Sequence, residues 1–142
     1  MLFYGGGGLG TKTEYLTGAA VSFVGTALTY AIGGFDQLLI ALVIFMVLDY
    51  LTGIMAAYEC SNLSSKIGFK GIIKKIFIFV LVVMAHQIDL VAGQDMLVRT
   101  MVTWFFLGNE GLSILENAAK MGVPVPGALK EKLVQLTEQK NK

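Results

Sequence analysis

The chain has 142 residues, of which 55% are hydrophobic and 15% charged, with a net charge of +1 and a mean hydropathy of +0.69. A soluble domain carries about 25% charged residues, so the deficit points to one domain built for a bilayer. The near-neutral balance leaves no basic footprint for nucleic acid, and the lone Cys60 excludes an intrachain disulfide.

Residues 1–14 read as a flexible start, with Gly5 to Gly8 and the single Lys12 and no cluster of positive charge of the secretory kind. The first apolar segment, 15–34, is rich in Gly and Thr and is the weakest span. Gly18, Ser22, Gly25, Thr26, Thr29 and Gly33 recur at three- and four-residue steps, so they share one helical face. Small faces let helices approach closely in lipid. This face therefore packs within the chain, or else lines water or meets another subunit. The alternative for the whole segment is to lie along the interface.

The second segment, 35–58, is continuously apolar from Leu38 to Leu48 and has the roughly 20-residue length that crosses a bilayer. Asp49 lies near its middle, and Thr52 and Gly53 continue the same face. The stretch from Glu59 to Lys75 is the basic loop, with Lys66, Lys70, Lys74 and Lys75. The third segment, 72–93, is polar at its far end, where His86, Gln87 and Asp89 stand. The fourth, 96–119, carries Arg99 near its start. Its second half bears a polar stripe of Asn109, Glu110, Ser113, Glu116 and Asn117, at steps that put them on one face. Pro124 and Pro126 stop this helix. In the tail, 120–142, Leu129, Leu133 and Leu136 predict a short amphipathic helix, too polar to span.

Basic loops face the cytoplasm. Four lysines lie in the 59–75 stretch and five from Lys120 onward, against none in the other two connections. Both termini are thus expected in the cytoplasm, with the first two segments forming a hairpin. Asp49 and Glu110 then sit at similar depth toward the inner side, with Lys75 in range. His86, Asp89 and Arg99 form an outer polar layer. Lys66, Lys70, Lys74 and Lys75 read as topology and headgroup residues that snorkel to the inner surface.

The chemistry is that of charges inside a membrane, which are costly unless paired or wet. One histidine and one cysteine complete no metal site. No nucleophile–base pair and no Walker-type loop is present, so neither a cofactor nor an enzymatic activity is expected. Three non-enzymatic readings remain: an oligomeric ion or proton channel using the carboxylates, a pore of many copies lined by the Asp49 face and the stripe on segment four, and a static bundle in which these groups only pair with one another.

Three stretches carry a resemblance. They are Leu48-Asp-Tyr-Leu-Thr-Gly53; Ser64-Ser-Lys-Ile-Gly-Phe-Lys-Gly-Ile-Ile-Lys-Lys75; and Asn109-Glu-Gly-Leu-Ser-Ile-Leu-Glu-Asn117, followed by Gly122-Val-Pro-Val-Pro126 and Leu129-Lys-Glu-Lys-Leu133. From about Phe35 onward the chain resembles the bacteriophage holin family, which includes the toxin-secretion holins of clostridia. The resemblance implies a homo-oligomer in the cytoplasmic membrane of a bacterial host. Such proteins open timed lesions through which a cytosolic endolysin, or a large toxin, leaves without needing direct contact with them. On this view Asp49, Glu110 and Ser113 make interhelix or pore-facing contacts, and Gly53, Gly68, Gly71 and Glu116 match as well. Two features depart from the pattern. The next methionine is Met46, inside the second segment, so a second start a few residues in is not available. The glycine-rich first segment lies outside the resemblance. The expectation is an all-α integral membrane protein, a single membrane domain of four transmembrane helices plus a cytoplasmic amphipathic helix.

Overall fold

The computed structural model describes residues 12–60 and 65–138. The order is α1 (Lys12–Ile32), α2 (Gln37–Glu59), α3 (Ser65–Ala92), α4 (Leu97–Lys120) and α5 (Gly127–Glu138). The expected flexible start lies outside the described residues up to residue 11, and from Lys12 the chain is already helical. Three helices have the length and apolarity to cross a membrane: Lys12–Ile32, Gln37–Glu59 and, within α3, Gly68–Ala92.

Local chemistry sets the helix ends. Asp36 caps α2, its Oδ1 accepting from Leu39 N at 2.8 Å. Gly33, Gly93 and Gly122 adopt left-handed φ of 84°, 65° and 74° just past α1, α3 and α4. At α4, Val123 N donates to Ala118 O at 3.0 Å and Gly122 N to Ala119 O at 3.0 Å, the paired bonds of a glycine-closed helix. The helix therefore stops at Gly122, ahead of the prolines expected to stop it.

Helix α3 starts seven residues before the expected 72, inside the basic stretch expected to be loop. The reason is tertiary. Gly68 and Gly71 turn toward Tyr50 of α2, where an added Cβ would lie 3.4 Å from Tyr50 Oη and 3.5 Å from its ring. That close approach offsets the roughly 1 kcal/mol each glycine costs a helix.

Helix α4 is the centre of the bundle. It packs chiefly on α2, then on α5 and α3. The apolar core joins Leu39, Leu42 and Met46 of α2, Ile78 and Val82 of α3, and Leu107 of α4, with Ile32 at its edge. Phe105 and Phe106 meet edge-on at 5.2 Å. Lipid is as apolar as these side chains, so close packing and polar contacts hold the bundle more than exclusion from solvent does.

Helix α1 departs most from expectation. Its connection to α2 is short, but the two do not pack as a hairpin. Among the described residues the body of α1 packs on α3, and of its 21 residues only the last, Ile32, is buried, where it reaches the core and accepts from Arg99 of α4. Gly18 and Gly25, on the small-residue face, have nothing within 4 Å of a built Cβ, so among the described residues this face is unpacked there, while at its end Gly33 meets His86. Thr26 and Thr29 satisfy their hydroxyls on Ser22 O and Gly25 O, each at 2.8 Å. The divergence has a cause in the turn: Gly33 and Gly34, at φ 84° and 90°, carry the chain around Arg99, which fills the gap a packed hairpin would close.

Candidate functional site

The polar residues fall into two groups at opposite ends of the bundle. The inner group is assembled by α2, α3 and α4. Lys75 Nζ donates to Asp49 Oδ2 at 2.7 Å and also to Glu110 Oε2. Its side chain is 14% exposed and that of Glu110 0%. Of the two places expected for Lys75, at the headgroups or in range of Asp49 and Glu110, its contacts are those of the second. It sits on the bundle-facing side of α3, where two carboxylates outbid the aqueous surface. Lys74 is 61% exposed, with Nζ 3.9 Å from Glu110 Oε1. That oxygen is buried and accepts no hydrogen bond among the described residues.

Asn117 extends the group one to two turns further along α4. Its Nδ2 donates to Asp49 Oδ1 at 3.3 Å and to Thr52 Oγ1 at 3.2 Å. Gly53 lies beside it, a Cβ there falling 3.6 Å from Asn117 Nδ2, an ordinary contact. Thr52 also returns its own hydroxyl to Leu48 O at 2.8 Å. The stripe on α4 is divided: Glu110 and Asn117 are buried in the bundle, Asn109 and Ser113 are half-buried, and Glu116 is exposed. Lys70 is exposed on α3. Lys66 lies in the first turn of α3, with its side chain outside the described residues.

The outer group is centred on Arg99, which is fully buried. Its Nε donates to Ile32 O at 2.7 Å, its Nη2 to Gly34 O at 2.9 Å and its Nη1 to Asp36 Oδ2 at 2.5 Å. One planar fork thus ties the α1–α2 turn to α4. Asp89 does not receive this guanidinium. Its two oxygens accept from Val98 N and Arg99 N, each at 2.8 Å, and so cap the start of α4, where Met96 has φ 56° and no capping side chain of its own. Negative charge at that terminus is favoured by the exposed N–H groups and the helix dipole. His86 is buried against Gly33, and its Nδ1 has no partner among the described residues.

Asp36 is the participant that sequence reasoning missed. It stands outside the spanning helix, 47% exposed, and the Arg99 guanidinium hydrogen-bonded to it holds its carboxyl below the ordinary 3.8. A signal was available: an Asp immediately before an apolar run, at the same end of the bundle as the arginine that opens α4.

Among the described residues no group of three or more His, Cys, Asp and Glu is placed to hold a metal ion. The polar groups neutralise one another across helices that are otherwise apolar outside. The fold and this arrangement define an all-helical, multi-pass membrane protein.

The sequence comparisons name the class further. The bacteriophage holin family matches residues 26–138, and the chain belongs to that family. The match begins inside α1, so the likeness reaches further toward the N-terminus than Phe35. An uncharacterized 14.9 kDa protein in the nagH 3' region of Clostridium perfringens is 42% identical over 128 residues, covering 89% of this chain and 96% of that protein. The uncharacterized protein Lin0175 of Listeria innocua is 49% identical over 106 residues, covering 75% and 76%. A probable holin of Bacillus phage phi105 is 31% identical over 92 residues, covering 65% and 68%. No solved structure matches. Family members are typically non-enzymatic membrane proteins, and holin-type pore formation is the general function that membership brings.

Proposed function

We propose that this protein is a holin that oligomerises in the cytoplasmic membrane of a bacterial host and opens lesions at a set time. These lesions release an endolysin for lysis, or a large toxin for export, without a required direct contact. In this reading α4 crosses as a fourth span, and both termini face the cytoplasm, as the lysine bias favours.

The observation that carries the reading is the Asp49–Lys75–Glu110 cluster, with Glu110 buried and its two partners half-buried in a bundle with an apolar exterior. A protein that had only to sit in lipid gains little from such a group, because ion pairs removed from water scarcely repay their desolvation. A pore former needs polar faces that stay hidden until subunits assemble. Interhelix polar contacts in bilayers are worth only about 1 kcal/mol each, so hiding and exposure are close in energy. Loss of membrane potential shifts the balance by about 2.3 kcal/mol per charge per 100 mV.

The test is induced expression in a bacterial host beside a cytosolic muralytic enzyme and a folded cytosolic reporter. Abrupt release of the reporter to the periplasm, with lysis requiring both the chain and the enzyme, is expected. Passage of protons or small ions alone, with the enzyme retained, would instead make the protein an oligomeric ion or proton channel using Asp49 and Glu110.

A further inference from the structure

We propose that α3 is the element that moves when the bundle opens, and that Lys75 is the latch that holds it shut. This rests on the pore-forming reading and identifies the moving part. Helices α2 and α4 share the most extensive interface in the bundle, and α2 and α3 the least. Between α2 and α3 runs an apolar groove of about 310 Å³, flanked by Val47 and Leu51 on one side and Ile72 and Ile76 on the other, with Tyr50 and Lys75 along it. Packing therefore holds α3 weakly against α2, its larger interface being with α4.

Polar contacts divide α3 into a fixed end and a releasable end. At the outer end Asp89 accepts two backbone N–H groups of α4, Gln87 Nε2 donates to Ala31 O at 3.3 Å, and His86 abuts Gly33. In the inner half, the hydrogen bonds from α3 to α2 and α4 among the described residues are those of Lys75. The ion contact of Lys74 with Glu110 is longer and largely exposed. One ammonium is thus shared by two carboxylates from two helices, and Glu110 Oε1 goes without a hydrogen bond. Swinging the inner half of α3 outward about its outer end would uncover Asp49, Glu110 and Asn117 together. Those are the groups a water-filled lumen solvates.

Lys75→Met removes the latch and leaves the two carboxylates facing each other. The expected result is an earlier onset of reporter release, whereas Lys130→Met, a charge loss in the tail, leaves the onset unchanged. An unaltered onset in Lys75→Met overturns the latch. A second measurement, independent of how that variant inserts, locks the groove. In a Cys60→Ser chain, Val47→Cys and Ile76→Cys are joined by a bismaleimide and reconstituted in vesicles holding a trapped folded protein. The unbridged chain is expected to release the cargo and the bridged chain to retain it. Equal release from both overturns the latch and leaves the holin reading standing; no release from either overturns both.

Discussion

Replacing Arg99 by Met isolates the energetic role of the outer clamp. The substitution keeps an unbranched stem of similar reach and removes a fully buried guanidinium. Lost with it are the bonds to Ile32 O, Gly34 O and Asp36 Oδ2 at 2.7, 2.9 and 2.5 Å. At the roughly 0.6 kcal/mol averaged by interhelix contacts in bilayers, the loss comes to about 2 kcal/mol. If both turn carbonyls are left dry, at about 2 kcal/mol for each unsatisfied buried group, it reaches about 4 kcal/mol. Beyond the one bond already counted, the charge on Asp36 adds little, because that carboxylate is 47% exposed. At about 1.4 kcal/mol per tenfold, the unfolding constant rises roughly 30-fold to several-hundred-fold. The assay is unfolding of the purified protein in mixed micelles by SDS titration, followed by far-ultraviolet circular dichroism. Arg99→Lys should recover only part of the loss, since a point ammonium cannot reach three acceptors as the fork does. A change within about 0.5 kcal/mol, the range of an ordinary surface substitution, would refute the clamp.

Other outcomes follow from the same geometry. Asp89→Ala uncaps α4 and should cost about 1–2 kcal/mol, read as faster hydrogen exchange at the Val98 and Arg99 amides, its two donors. Gly33→Ala places a Cβ 2.6 Å from His86 Nδ1 at φ 84° and should cost at least about 1–3 kcal/mol; adding His86→Ala should restore part of it, and simple additivity of the two losses would show that they do not clash. The Asp36 carboxyl, lowered by its bond to Arg99, contributes stability that is complete above 3.8 and is lost as pH falls through its lower folded value. Asp36→Asn should therefore flatten the acid limb of the micellar stability curve, and an unchanged limb would contradict the pairing.

Much of this architecture was legible in the chain. Apolar stretches of spanning length, the depth shared by Asp49 and Glu110, and the break at Gly33–Gly34 all follow from patterns that need no partner to interpret. What was not legible depended on which neighbour a side chain faces. Depth put Lys75 in range of the carboxylates, but the adjacent Lys74 looks alike, and one helical step of about 100° decides that Lys75 turns to them and Lys74 outward. Asp36, at the start of the second segment, was not matched with Arg99 because 63 residues separate them in the chain. The early start of α3 turned on Tyr50, since two glycines in a basic stretch argue for loop until an aromatic ring is brought against them. The isolation of α1 was the opposite case: its small-residue periodicity is real, but periodicity does not say that a partner within the chain exists.

The spacing of the inner cluster along the chain has a consequence for synthesis. Asp49 precedes Lys75 by 26 residues, and Lys75 precedes Glu110 by 35. On the ribosome the acid of α2 is made first, the base that neutralises it next, and the second acid last. A lone Asp at mid-helix costs about 2.5–3.5 kcal/mol on translocon insertion scales. The nascent chain meets that cost until α3 emerges, so α2 and α3 are best inserted as a pair. Between the completion of α3 and the arrival of α4, Lys75 balances Asp49 alone. Only α4 brings Glu110 to the inner cluster and Arg99 to Asp36, so the bundle reaches its full set of cross-links late.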